Sequence, residues 1–297
     1  MNNIVLTTDS GMCCIKKDDT KIIPAQLVCS DGNTYKDDGK ISNLKILNDM
    51  NNGLIYKTAS PLLGDFEKTF REILENKKDV IHLSMSSGIS EGSVNSANLI
   101  ANDLNDYYEN KIYVIDSLTG ATGGTLFYEL AYQELINNNL PTDKLVHKLN
   151  ELKLKLLTAF YVPNADGYIR SGRDKTNSNL KNKVLSSTSQ IMKLASLKFR
   201  VDFNEKGNLH FKNIFRSNQQ NGMLKMVKEI VNENTINEFN PSLVAIGNLQ
   251  KEKVNLEIIK EYLNSFKYFN NIIEQDIGSV IAAYGCNDLC GISLIKK

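Results

Sequence analysis

Charge of one sign has almost no surplus in this chain. Its 35 Lys and Arg stand against 34 Asp and Glu, a formal net charge of +1 over 297 residues, which leaves no global field to draw in a nucleic-acid backbone. No block of Lys and Arg interleaved with aromatics makes up for this, so no nucleic-acid partner is expected. Long apolar runs are also lacking. None approaches the roughly 20 residues that a membrane-spanning helix needs, so membrane contact is limited to transient docking. No basic segment leads the apolar run at 4–6, so no export leader is expected. The five cysteines are odd in number and sparse, with Cys13 beside Cys14, Cys29 alone, and Cys286 four residues before Cys290. That pattern argues against a disulfide framework and for a reducing cytoplasm. Cys286 and Cys290 would be half a metal site, with no second pair or nearby His to complete it, so no metal is expected.

What is present is ordinary globular material, 41% hydrophobic and 23% charged, in a chain long enough for two cores. In the first half, β-branched runs at 4–7, 80–84 and 112–115 alternate with helical stripes, the pattern of a parallel sheet. One stripe is Phe66, Phe70, Ile73 and Leu74. A second is Val94, Ala97, Ala101 and Leu104, and a third begins at Phe127, Leu130 and Ala131. Thr142 is placed to cap a further helix with the stripe Leu145, Leu149, Leu152 and Leu156. From about Ala159 longer strands take over. Those at 197–203 and 209–215 flank a turn at Gly207 as a hairpin. Helices at 223–231 and 254–266 follow, with strands at 243–246, 272–275 and 292–295. The expected fold is α/β: an N-terminal parallel-sheet α/β domain over 1–158 and a C-terminal α+β domain with a mixed sheet over 159–297.

Ligands of open parallel sheets lie beyond the carboxyl ends of the strands, and the loops expected there are rich in hydroxyls. They are Thr8-Asp9-Ser10; Lys57-Thr58-Ala59-Ser60-Pro61, after a short run at 54–56; Ser84-Met85-Ser86-Ser87-Gly88-Ile89-Ser90; and Asp116-Ser117. Hydroxyls and helix N-terminal amides together hold an anion. Each such residue could equally cap the helix that follows it, but four such loops on one edge point beyond capping.

These loops also carry a resemblance. Thr8-Asp9-Ser10, Asp31-Gly32 followed by Tyr35 and Asp37, Lys57-Thr58-Ala59-Ser60-Pro61 with Gly64-Asp65-Phe66, Ser86-Ser87-Gly88-Ile89-Ser90, Val114-Ile115-Asp116-Ser117, and Arg170-Ser171-Gly172-Arg173 occur in the order and spacing of the DegV family. The resemblance runs essentially end to end. It implies a two-domain α/β fold that binds a long-chain fatty acid, with no cofactor beyond that ligand. In some members the carrier presents the acid to a fatty acid kinase, which phosphorylates the carboxyl group. By the same resemblance, Thr58 and Ser90 are the carboxylate ligands. Thr8, Asp9, Ser10, Ser60, Ser87, Gly88, Asp116, Ser117 and Tyr284 are the supporting residues, and Arg170 and Arg173 are candidates for docking the partner. Three departures stand out: Tyr284 replaces the family's C-terminal His, Glu91 is inserted after Ser90, and Ser171-Gly172-Arg173 replaces Gly-Gly-Arg.

Other classes fare worse. A serine hydrolase needs a base, yet the chain has only His82, His147 and His210. His82 lies inside an apolar strand and reads as a core residue, neither of the others adjoins a serine loop, and no Gly-x-Ser-x-Gly elbow exists. The glycines from Gly120 to Gly124 match no nucleotide motif and read as helix packing. A regulatory or scaffold protein that keeps the fold without lipid transfer is the remaining alternative, and no catalysis is expected of the chain alone.

Overall fold

The computed structural model of the chain describes residues 3–17, 19–138, 140–163, 197–216, 219–249, 254–285 and 289–297. Strands β1 (Ile4–Asp9), β2 (Lys21–Ile23), β3 (Gln26–Cys29) and β4 (Thr34–Lys36) come first. Helix α1 (Asn43–Asn51), β5 (Tyr56–Ala59), α2 (Leu63–Glu75), β6 (Asp79–Ser84), α3 (Ser87–Asn105), β7 (Ile112–Asp116), α4 (Thr122–Asn138) and α5 (Thr142–Leu152) follow. The second half runs β8 (Leu156–Val162), β9 (Leu197–Phe203), β10 (Leu209–Arg216), α6 (Gln219–Glu233), β11 (Val244–Asn248), α7 (Val254–Ser265), β12 (Ile272–Asp276), α8 (Ser279–Ala282) and β13 (Cys290–Ile295).

The first half is built on a wholly parallel sheet in the order β2, β1, β6, β7. Helices cover both faces, so β1 is buried throughout, its polar Thr7, Thr8 and Asp9 included, with no alternation of buried and exposed residues. On one side Phe66 and Phe70 of α2 and Ala101 and Leu104 of α3 meet Val5, Val80 and Ile112. On the other, Phe127 and Ala131 of α4 and Leu145 and Leu149 of α5 meet Leu6, Ile81 and Ile115. The stripes read from the sequence are these buried faces. Two details differ at α5: Pro141 holds the cap position, and Leu156 begins β8 instead of extending the helix. The Thr142 hydroxyl instead donates to the Asp79 carboxylate, tying the helix start to β6.

A six-stranded mixed sheet forms the second half, in the order β10, β9, β8, β13, β11, β12. Only β11 and β12 pair in parallel there; the other neighbours are antiparallel. Helices α6 and α7 pack Met226, Ile230, Ile259 and Leu263 on its outer face. Its inner face receives α4, where Leu126 and Leu130 meet Ala245 and Ile295. Lodged between two sheets, α4 is buried from Thr122 to Ala131. Its glycines serve this packing: a Cβ on Gly124 would stand 2.4 Å from the Met12 carbonyl oxygen. A third sheet, antiparallel in the order β4, β3, β5, was not expected from the sequence. With α1 it sets Leu27, Ile46 and Tyr56 against Phe199, Val201 and Phe211 of the second sheet.

His82 is a core residue, as its apolar strand predicted. Its ring meets Phe66 and Phe70 edge-on at 5.4 and 5.5 Å, and Nδ1 lies 3.0 Å from Thr7 Oγ1. Burial holds its pKa down to about 3, against an ordinary 6.5. Between those two values the unfolded chain binds a proton that the native one refuses. The contribution of His82 to stability is therefore complete above pH 6.5 and lost as pH falls from there toward 3. Denaturant titrations of the wild type and His82→Asn at several pH values should show a shallower acid loss in the variant. Equal slopes would remove His82 as a source.

Candidate functional site

Thr58 owes its position to strand pairing. It lies opposite Leu27 in the β3–β5 register, and alternation along β5 turns Tyr56 and Thr58 inward while Lys57 and Ala59 face solvent. The sequence reading placed Thr58 in a loop after a strand at 54–56; the strand in fact starts at Tyr56 and contains it. Thr58 Oγ1 lies 2.9 Å from the Tyr284 hydroxyl oxygen, which also accepts from the Thr58 amide at 3.1 Å. Tyr284, just beyond α8, thus braces the threonine from the other end of the chain.

Ser90 sits where α3 breaks. Its φ of −145° and ψ of 60° are not helical, so the helix starts afresh at Glu91. The first turn of that new segment carries the unsatisfied amides and partial positive charge of a helix start. Ser90 Oγ lies 2.8 Å from Ser93 Oγ.

Asp9 ends β1 and is 1% exposed. Its Oδ2 accepts from the Met85 amide at 2.8 Å and from the Ser84 hydroxyl at 3.1 Å. Its Oδ1 makes no hydrogen bond among the described residues. Burial pushes its pKa up to about 6; the Met85 amide, the Ser84 hydroxyl and the Gly11 amide act against the rise, and the Asp37 charge adds to it.

Thr58, Ser60, Ser90, Ser93 and Asp9 line one cavity of about 240 Å³, which the exposed Glu91 also borders. Ile89 lines this cavity and also a second, apolar one of about 60 Å³. The second is walled by Phe160, Val162, Val201, Phe203 and Leu209, with Tyr284 on its lining too. A hydroxyl-lined polar chamber therefore adjoins an apolar cleft, a layout for an amphipathic ligand whose head accepts hydrogen bonds. A further concavity, about 1460 Å³, runs along Arg200, Asp202, Lys206, His210 and Lys212 and shares Phe203 with the apolar cleft. Its walls mix charged side chains with Leu118, Leu154, Leu156 and Leu157, and neither Thr58 nor Ser90 is among its lining residues.

Several of those residues build the frame instead of lining the chamber. Thr8 donates to the Asp9 carbonyl at 3.1 Å, and Ser10 Oγ accepts from the Ala25 amide at 3.0 Å. Asp116 Oδ1 accepts from the Ser87 and Leu118 amides at 3.1 and 3.0 Å, joining the loops after β6 and β7. Ser117 donates to the Thr119 carbonyl at 3.1 Å. Gly88 allows a backbone approach by Gly207. Arg170 and Arg173 lie outside the described residues. Sequence reasoning missed Ser93, whose one signal was its three-residue spacing from Ser90, and the apolar cleft, whose walls come from three neighbouring strands of the second sheet, β8, β9 and β10. Among the described residues, no three His, Cys, Asp or Glu side chains gather to hold a metal, and no helix is long and apolar enough to cross a membrane. The four described cysteines are free and buried.

The family model described as "Uncharacterised protein, DegV family" matches residues 3–297. The chain belongs to the DegV family. A DegV domain-containing protein of Streptococcus pyogenes serotype M1 is 28% identical over 285 residues, covering 94% of this chain and 91% of the relative. Among solved structures, a DegV family protein from Eubacterium eligens loaded with heptadecanoic acid superposes with a TM-score of 0.83 at 16% identity, covering 99% of this chain and all of that one. The Streptococcus pneumoniae Fatty Acid Kinase B3 protein loaded with linoleic acid gives 0.81 at 19% identity, with full coverage of both chains. At these identities the likeness to the solved DegV proteins is one of fold: a parallel sheet in the first half and a mixed sheet in the second.

Proposed function

We propose that the protein is a fatty-acid carrier, holding one long-chain acid with its carboxylate between Thr58 and Ser90 and its acyl chain along the cleft of Phe160, Val201, Phe203 and Leu209. The observation that carries this reading is that Ile89 lines both the hydroxyl chamber and the apolar cleft, which supports taking the two as one amphipathic site. Its neighbours in fold include proteins described with heptadecanoic and linoleic acid bound. Neutral hydroxyls suit the task. A hydrogen bond to a charged group is worth about 1.5 to 3 kcal/mol, enough to offset part of the carboxylate's desolvation without trapping it as an arginine fork would. The tail supplies most of the affinity, about 0.8 kcal/mol per buried methylene. A cleft of about 60 Å³ is well below the roughly 300 Å³ at which ligand sites begin, so its rings part as the chain enters.

The role is one of binding rather than catalysis: the carrier works in the cytoplasm and presents the acid to a fatty acid kinase that phosphorylates the carboxyl group, with Arg170 and Arg173 as candidates for docking it. Native mass spectrometry of the purified protein is expected to show the mass of one fatty acid, and calorimetry should detect binding of added oleate to stripped protein. Apo protein that binds neither oleate nor palmitate would leave the fold without a lipid role and favour the scaffold alternative.

A further inference from the structure

We propose that Asp9 is a third contact for the ligand's head group: its protonated carboxyl donates a hydrogen bond to the fatty-acid carboxylate, so that each acid bound above weakly acidic pH brings one proton into the site. The inference rests on the carrier reading and adds to it a residue that sets which charge state the site accepts.

The geometry leads there. Asp9 lines the same chamber as Thr58 and Ser90 and is almost wholly buried. Its two oxygens are unlike. Oδ2 is engaged by the Met85 amide and the Ser84 hydroxyl, both donors, so that oxygen acts as an acceptor. Oδ1 is left without a partner at hydrogen-bonding distance among the described residues; the Gly11 amide nearby favours the charged form but does not satisfy it, and a buried oxygen left so carries a desolvation cost. A proton on Oδ1 turned toward an incoming carboxylate removes that cost.

Charge points the same way. Among the described residues, the titratable groups near Asp9 are Asp37, the thiols of Cys13 and Cys14 in the segment that follows it, and Glu91 on the chamber wall. None of these is basic. Burial pushes both thiols up to about 12, so they stay neutral, and Asp37 is itself raised by burial. An ionised Asp9 beside a second carboxylate in this setting would face uncompensated repulsion, and two such carboxyls relieve it by sharing a proton. The Asp9 pKa, already pushed up to about 6 with no ligand carboxylate beside it, makes that proton inexpensive to bind. The balance is simple. Above about pH 6 the free protein carries ionised Asp9, and it takes up one proton from solvent together with the carboxylate; below that pH the proton is already in place.

The test is calorimetry of oleate binding in two buffers of different ionisation enthalpy at about pH 7.5, on the wild type and on Asp9→Asn. Asparagine keeps an oxygen for the Met85 amide and supplies a permanent N–H donor. The wild type is expected to take up about one proton per oleate and the variant none. Relative to the variant, wild-type affinity should fall about tenfold per pH unit above about pH 6. Oleyl alcohol, whose hydroxyl can donate to ionised Asp9, should bind the wild type with no proton uptake, a comparison that stands even if the variant fails to fold. Tight oleate binding by the wild type without proton uptake, or equal uptake by the variant, overturns the Asp9 assignment and leaves the carrier reading intact. Failure of the wild type to bind any fatty acid or alcohol across this pH range would sink the carrier reading, and this inference with it.

Discussion

Thr58→Val is expected to weaken oleate binding by about 1 to 3 kcal/mol, roughly fivefold to 150-fold, with little effect on the fold. Valine matches threonine in shape, so the β3–β5 pairing and the inward packing of β5 survive while the hydroxyl is lost. That hydroxyl does two things in the arrangement proposed here. It meets the Tyr284 oxygen at 2.9 Å, so the tyrosine can donate to it while it donates onward to the carboxylate, a chain in which each bond polarises the next. Thr58→Ser should therefore bind nearly as well as the wild type, and Tyr284→Phe should show an intermediate loss. Ser90→Ala removes the other hydroxyl and takes from Ser93 a partner 2.8 Å away, with an expected loss in the same range. Oleyl alcohol, which places no charge in the chamber, should lose less in each variant. Isothermal titration of the four variants with both ligands decides the matter: oleate affinity untouched by both Thr58→Val and Ser90→Ala would place the head group elsewhere.

The elements that were legible in the sequence are those whose burial is one-sided and periodic or complete. The stripes of α2 and α3 and the short apolar, β-branched run that opens β1 each leave a signal that survives without knowledge of the fold. The sheet of β3, β4 and β5 leaves almost none. Its strands are three or four residues long and partly exposed, so alternation has no length over which to show. This is why Thr58 was expected in a loop although its residue type drew attention. The site divides along the same line. Its hydroxyls are local in sequence and form motifs, whereas the apolar cleft draws Phe160 from β8, Val201 and Phe203 from β9, and Leu209 from β10, and no local pattern announces that these side chains face one space. Thr8, Ser117 and Asp116 look, as sequence, just like Thr58 and Ser90. Only the direction of each side chain tells a residue that ties loops together from one that lines the chamber, and direction is set by long-range packing.

Gly88→Ala should be among the most damaging single-methyl changes in the chain. A Cβ at Gly88 would stand 2.3 Å from the Gly207 carbonyl oxygen and 2.5 Å from its carbonyl carbon, and these are backbone atoms that cannot swing aside as a side-chain tip does. Gly207 has little room to retreat. Its φ of +69° holds the tight turn between β9 and β10, and its own α-carbon is packed against Ser86 and Leu118. Ser86 caps the start of α3, accepting from the Gly88 amide at 3.1 Å, and donates to the Gly207 carbonyl at 2.7 Å, so the methyl would also prise apart that hydrogen bond. Overpacking of this kind costs about 1 to 3 kcal/mol, and more where the neighbour is rigid. The functional loss should exceed what stability alone implies, because this contact fastens the segment bearing Ser90 to the hairpin bearing Phe203 and Leu209, which sets the head-group chamber against the tail cleft. Gly64→Ala is the matched control: it lies in the first turn of α2 with nothing within 4 Å of the added carbon, and it should leave stability unchanged or raise it by up to about 1 kcal/mol. Urea denaturation midpoints and oleate affinities for the two variants separate the cases. If Gly88→Ala unfolds at the wild-type midpoint and binds oleate at wild-type strength, the hairpin turn yields freely, and the close approach at Gly207 does not hold the two halves of the site in register.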